Sequence, residues 1–265
     1  MKKNIFFVLM FVNIVFISCK KIEEYPKLVY KYAEHNFQYG PCDTSSSECV
    51  DIKIKTLEIS GSLTAAVQDS VKKAVNNFMF APTVGESKYS SFEQLRDSLI
   101  DNYKKTRTEI PDMPLSYGLE RSIKVETDTI GIFAMEFFEY TFFGGAHPNT
   151  VMVYENINLA DGRKIKLSDL FIPGFEEKLN VIAEKSFRKV RELKPDENLE
   201  EAGYWFENGK FKLNNNFIVT KKGLKFLFNP YEVAAYYLGA TEFLIEYSQL
   251  KEIIKKGNFL ERFIQ

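Results

Sequence analysis

The sequence is poor in the residues that most enzymes and metal proteins depend on. It has two histidines (His35 and His147), one tryptophan and three cysteines in 265 residues. Two histidines far apart in the chain do not make a histidine-ligated centre. Two thiols without a nearby His or further Cys do not complete a tetrahedral metal set either, so no metal or cofactor is expected. Charge of one sign is also lacking: 35 Lys and Arg face 36 Asp and Glu, a formal charge of −1. No basic excess is present to neutralise phosphates, which excludes nucleic acid as an expected partner. There is no Gly-x-Ser-x-Gly elbow. The pair Gly144-Gly145 is not followed by Lys-Ser/Thr, so it is not a phosphate-binding loop. After residue 17 no long apolar run recurs.

What is present begins at the first residues. Lys2 and Lys3 precede an apolar run, Ile5 to Ile17, broken only by Asn13. At about 13 residues the run falls short of the ~20 that span a bilayer. A positive start, a short apolar core and small Ser18 read as an export signal over residues 1–18. With Cys19 next, the segment resembles a bacterial lipoprotein signal, which implies cleavage before Cys19 and acyl chains on it. The rival reading is a buried apolar helix ending in an ordinary cysteine. With Cys19 assigned to lipid, Cys42 and Cys49 remain as an even pair across a short polar stretch, which reads as a disulfide of an oxidising compartment. A two-thiol metal site is the alternative.

Residues 19–30 are charged and aperiodic and read as a tether. Val50-Asp51-Ile52-Lys53-Ile54 alternates as a strand does, and the slip at Thr56-Leu57 allows a bulge. Leu63, Val67, Val71, Ala74 and Phe78 fall at helical spacing. Ser91 with Gln94 forms a capping-box pattern before a second helix bearing Phe92, Leu95, Leu99 and Tyr103. Ile123, Val125 and Thr127 alternate again. Ile130 to Phe143 reads as a strand buried on both faces, and Val151 to Leu159 as another, ending at the Asp161-Gly162 turn signal. In the second half, Phe175 to Leu193 has a helical apolar face. Asn208-Gly209 signals a hairpin joining Trp205–Glu207 to Lys210–Lys212. Phe217–Val219 and Leu224–Phe228 form a further hairpin, and Phe243, Ile245 and Tyr247 a last strand. Ser248 then caps a short helix stopped by Gly257. The fold class is α+β, as two successive modules, each with a helix packed on an antiparallel sheet.

Phe138 to His147, Asn158 to Ile165, Leu167-Ser168-Asp169-Leu170-Phe171, Asn229-Pro230-Tyr231-Glu232-Val233 and Gly239 carry a resemblance to a known family. The chain resembles the RsiV-like family, catalogued as domain of unknown function 3298, behind a PdaC-like N-terminal domain. The resemblance places the PdaC-like α+β domain at 31–160 and the RsiV-like one at 161–265. It implies a pair of extracytoplasmic sensor or accessory modules near the cell wall. RsiV-type members bind lysozyme, and PdaC-type members carry a separate deacetylase domain. Neither an anti-sigma segment nor a deacetylase domain is expected in this chain.

Function on this reading is a lipid-anchored, non-enzymatic envelope protein. Its ligand is a cell-wall glycan or a protein such as lysozyme, and its membrane contact is through the anchor. Candidate ligand-binding residues are Tyr140, Gly144, Gly145, His147, Tyr231, Tyr236 and Tyr237. Phe142, Tyr154 and Trp205 are further aromatics in excess of an obvious core. Gly144-Gly145 is either a tight turn or a ligand cradle. His147 either fixes its loop or acts as a general base. The alternative function is a hydrolase of envelope glycans using His147 and an acid such as Asp161. Glu136 and Glu139, three apart in one strand, point to opposite faces and cannot serve one site together.

Overall fold

The protein is described by a computed structural model covering residues 28–42, 48–61, 63–111 and 114–264. The signal-like segment and Cys19 lie outside the described residues. Among those residues, no helix is long and apolar enough to cross a membrane, and no group of three or more His, Cys, Asp or Glu is placed to hold a metal ion.

Strand β1 (Val29–Tyr39) pairs antiparallel with β2 (Val50–Ser60). The tether reading of residues 19–30 is therefore corrected at its end: Val29 and Tyr30 already belong to a strand. Cys42 and Cys49, which lie between these strands in the chain, are bonded to each other, with Cα atoms 5.3 Å apart. Helix α1 (Ala65–Met79) buries Val67, Val71, Val75 and Met79, and α2 (Phe92–Glu109) buries Leu95, Leu99 and Tyr103. Each starts at a hydroxyl cap: Thr64 Oγ1 accepts from Val67 N–H, and Ser91 Oγ from Gln94 N–H at 3.1 Å. The Gln94 side chain reaches back to Ser90 rather than to Ser91.

These helices form the crossover to β3 (Tyr117–Thr129), which lies parallel to β2. Parallel neighbours need such a long connection, so the first sheet is mixed and not wholly antiparallel as expected. β4 (Ile132–Phe143) and β5 (Asn149–Asn158) complete it in the order β1-β2-β3-β4-β5. The slip at Thr56-Leu57 makes no bulge against β1; the register shift falls between Val125 and Thr127.

The second half opens with short α3 (Leu167–Leu170) and α4 (Glu176–Val190). β6 (Phe217–Val219), β7 (Gly223–Phe228) and β8 (Thr241–Glu246) form an antiparallel sheet, followed by α5 (Tyr247–Leu250) and α6 (Glu261–Ile264). The hairpin expected around Asn208-Gly209 is absent. The turn forms, with Asn208 at φ 56° and Lys210 N–H donating to Glu207 O at 3.3 Å, but no strand forms on either side of it. Phe206 and Phe211 instead pack together and on Phe187 of α4. Burial of aromatic area outweighs local hairpin pairing here. Tyr247, expected in the last strand, starts α5 instead; it is buried, and its hydroxyl donates to Thr220 O at 2.7 Å. Glu246, not Ser248, is the cap, and α5 ends well before Gly257.

Two cores result. Odd-numbered residues of β4 (Phe133, Met135, Phe137) face α1 and α2, while Ile132 and Ala134 join the second sheet's core. The second sheet is held to β5 by three asparagine side chains. Met152 N–H donates to Asn229 Oδ1 at 2.7 Å, and Tyr154 N–H to Asn216 Oδ1 at 2.9 Å. Both amides donate in return to Met152 O at 3.0 Å. Asn156 reaches the other way, donating to Phe217 O and accepting from Val219 N–H. These amides occupy backbone groups that an edge strand would otherwise leave unpaired. Beside them lies a polar cluster. Tyr154 O–H donates to Glu242 at 2.6 Å, and Lys225 Nζ sits 3.1 Å from Glu242 and 3.3 Å from Glu136.

Candidate functional site

Beyond the end of β4 the chain turns at Gly144-Gly145. Gly144 has φ 79°, a backbone conformation that side chains rarely adopt, and a Cβ there would press on the end of the Leu115 side chain. Gly145 has no such demand. The pair is a tight turn against Leu115, and it delivers His147 to the surface.

His147 is the centre of an exposed aromatic cluster. Its ring stacks on Tyr236 with centroids 3.7 Å apart and planes 14° from parallel. Its Nδ1 lies 2.9 Å from Pro148 O, which can only accept, so Nδ1 carries the proton. In the neutral ring Nε2 then accepts from Tyr231 O–H, 3.1 Å away. Tyr231 and Tyr236 are themselves 5.5 Å apart. Three of the residues picked out from the sequence are thus brought together from positions about 85 apart in the chain.

The loop that carries the tyrosines is held in an unusual shape. Glu232 N–H donates to Asn229 O across Pro230 and Tyr231, and Tyr231 has φ 65°. Proline second and positive φ third are the marks of a type II turn, whose third position normally takes glycine or asparagine. A bulky residue there costs about 1 kcal/mol. That strain is borne where the Tyr231 hydroxyl meets His147, and such strain gathers at functional sites. Further on, a 3₁₀ turn over Tyr236–Leu238 closes at Gly239. Arg191 at the end of α4 holds this stretch by donating to Gly239 O, Ala240 O and Thr241 Oγ1. Tyr237 is 81% exposed and Tyr231 53%. Trp205, 50% exposed, joins the neighbourhood through its backbone N–H, which donates to Val233 O.

Other sequence candidates fall elsewhere. Tyr154 is buried in the second core, where loss of hydration and its bond to Glu242 raise its hydroxyl well above the ordinary tyrosine range. It offers nothing to a surface. Asp161 and His147 lie beyond opposite ends of ten-residue β5, so they are about 30 Å apart. Asp161 is tied to Arg163 through its backbone N–H at 3.0 Å and its Nε at 2.8 Å, and these bonds hold its carboxyl below the usual range. The pair proposed for the hydrolase alternative is not assembled. Glu136 meets Lys225 and Glu139 meets buried Arg121, on opposite faces as strand geometry requires.

Burial of β4 on both faces is also corrected. From Phe138 onward one face lies outside both cores, with Phe138, Tyr140 and Phe142 half-buried. The second sheet ends its cover at Glu136. The asparagine bonds to β5 are not legible in the sequence: Asn229 enters there only within a stretch that carries the family resemblance, and no spacing links it or Asn216 to β5.

These features define a two-part α+β protein with an exposed aromatic site beside the junction of its sheets. Residues 44–150 match the family model described as deacetylase PdaC, and residues 168–248 match that of DUF3298, a protein family of unknown function. The chain thus carries a PdaC-type region followed by a DUF3298-type region. Over 125 residues it is 30% identical to the peptidoglycan-N-acetylmuramic acid deacetylase PdaC of Bacillus subtilis, covering 46% of this chain and 26% of that protein. The chain therefore spans about a quarter of that relative's length. Among solved structures, a DUF3298 member from Bacteroides fragilis superposes with a TM-score of 0.71 at 19% identity, covering 91% of this chain and 99% of the other. One from Pseudomonas aeruginosa gives 0.61 at 18%, covering 88% and 96%. At these identities the likeness is one of fold.

Proposed function

We propose that the chain is a lipid-anchored module of the bacterial cell envelope that binds a cell-wall glycan and performs no chemistry on it. The observation that carries this reading is the stack of exposed His147 on half-buried Tyr236, with exposed Tyr231 held against it in a strained backbone. Rigid rings facing solvent stack on the apolar faces of sugars, and the hydroxyls of Tyr231 and Tyr237 serve their polar edges. A peptidoglycan-acting relative of the first region supports the ligand class, and the lipoprotein-like segment ending at Cys19 supports the location. His147 is spent on Pro148 and Tyr231 with no carboxylate orienting it, which favours binding over catalysis.

The test uses the full chain, purified in detergent, with peptidoglycan fragments titrated by calorimetry. Binding that is lost in Tyr231→Ala and Tyr236→Ala is expected, with the fragments recovered unchanged by mass spectrometry. Binding of lysozyme alone would replace the glycan by a protein ligand, and cleaved or deacetylated fragments would overturn the non-enzymatic reading. For the anchor, Cys19→Ser is expected to release the protein from membranes and abolish fatty-acid labelling.

A further inference from the structure

The loop cluster leaves three aromatic side chains unexplained. Phe138, Tyr140 and Phe142 alternate along β4 and so share one face, about 7 Å apart from one to the next. It is the face on which Ile132 and Ala134 meet the second core, but Phe138, Tyr140 and Phe142 belong to neither core. Cross-strand partners share a face, so the register names the flanks. Gly118, Glu120 and Ser122 lie opposite Phe142, Tyr140 and Phe138 on β3, and Thr150 and Met152 lie opposite Tyr140 and Phe138 on β5. At Gly118 a Cβ would stand 3.4 Å from Tyr140 Cε1, so the Tyr140 ring lies over a position kept free of a side chain.

This row leads toward the loop cluster. Met152, opposite Phe138, is bound by Asn229, two residues before Tyr231, and β4 itself ends one residue before Gly144. We infer that Phe138, Tyr140 and Phe142 extend the His147–Tyr236–Tyr231 cluster into one elongated platform, and that its occupant is a linear, uncharged glycan strand lying along β4. This rests on the glycan reading of the loop cluster and adds the form of the ligand.

The chemistry of the flanks selects that occupant. No Lys or Arg stands directly opposite any of the three rings; the lysines of this face lie further out, Lys124 paired with Glu126 at 2.9 Å, Lys53 on β2 paired with Asp51 at 2.8 Å, and Lys55 over the Tyr32 ring at 4.6 Å. An anionic lipid headgroup or polyanion would meet the Glu120 carboxylate opposite Tyr140, with the surrounding lysines already engaged by Asp51, Glu126 and Tyr32. Ser122, Thr150 and Glu120 instead offer hydroxyls and a carboxylate to sugar hydroxyls beside the rings. Three rings in a row plus the loop cluster exceed the length of a disaccharide. The asparagine bonds between β5 and the second sheet keep both parts of the platform in one arrangement before binding, which lowers the ordering cost.

The experiment measures affinity of the full chain for N-acetylglucosamine oligomers of two, four and six units. Affinity is expected to rise about tenfold from the shortest to the longest. Tyr140→Ala should remove that rise while leaving the dimer within about twofold of wild type. Gly118→Leu, which keeps every ring but crowds Tyr140, should do the same. Tyr236→Ala should weaken every length. A melting temperature near wild type for one of the two platform variants shows that folding is not the cause. Affinity independent of length, or a hexamer bound equally well by folded Tyr140→Ala and Gly118→Leu, overturns the platform and leaves the loop site standing. Failure of wild type to bind any oligomer overturns the platform, while the titration with peptidoglycan fragments decides the loop site separately.

Discussion

Asn156 and Val219 are joined by a hydrogen bond of 2.8 Å from a strand N–H to a side-chain amide oxygen, and the same amide donates to Phe217 O. Both partners on β6 are buried, as is Asn156 itself. In Asn156→Leu, two backbone groups lose their partner without gaining water. The expected loss is roughly 2–4 kcal/mol, read as a shift in urea midpoint at constant slope. A loss under about 0.5 kcal/mol would show that the amide is not what satisfies β6.

Arg121 has no exposed surface and donates to Glu139, Met79 O and Thr83 Oγ1, which ties β3 and β4 to the end of α1. Replacing it with Met strands Glu139 and two acceptors. Breaking a buried pair from one side costs about 3–5 kcal/mol. Arg121→Met paired with Glu139→Leu should recover part of that loss, and a double-mutant cycle in denaturant measures it.

Alkaline pH should destabilise the protein through buried tyrosines. Tyr154 is raised by burial and by Glu242, and Tyr247 by burial. A hydroxyl whose folded value exceeds its unfolded one stabilises fully below about pH 10 and loses that contribution as pH rises, because only the unfolded chain ionises. Melting temperature should therefore fall above about pH 10, more gently in Tyr154→Phe than in wild type. Equal slopes for the two would remove Tyr154 as a cause.

The Cys42–Cys49 bond closes a short loop between β1 and β2. Cys42→Ser with Cys49→Ser should lower stability by about 2.5 kcal/mol, and reductant should have the same effect on wild type and none on the double variant.

Tyr231→Gly separates strain from use. Glycine adopts φ 65° freely but loses more backbone entropy on folding, so the two effects nearly cancel and the variant should stay within about 1 kcal/mol of wild-type stability. If the loop cluster binds glycan, the same variant loses affinity. A larger drop would mean that the ring contributes more packing than its backbone costs.

Much of the fold could be read from apolar spacing. Val67, Val71 and Leu95, Leu99, Tyr103 point their helices inward as the periodicity indicates, and the β6–β7 hairpin follows its Gly223 turn. β1 escaped because an edge strand carries few buried side chains; Lys31, Glu34 and Asn36 face solvent and blur its period. The Asn208-Gly209 signal was real as a turn, but Phe206 and Phe211 gain more from Phe187 than from each other's strands. At the site, His147, Tyr231 and Tyr236 could be picked out as surplus polar aromatics. Their meeting could not, because it depends on where Asn229 pins its loop to β5. Asp161, named as an example of an acid that could serve His147, is separated from it by an extended strand, which no residue pattern around either one reveals.

One strand is shared between two interiors. Along β5, Met152 and Tyr154 turn to the second core while Val153 and Ile157 turn to the first. A slip of β5 by one residue would exchange these sets, evicting hydrophobic side chains from both interiors at once and breaking all three asparagine contacts. The two sequence regions match separate family models, yet they share a single register. Stretching, heating or proteolytic nicking at β5 should therefore fail both regions together, as one cooperative unit rather than as two beads on a string.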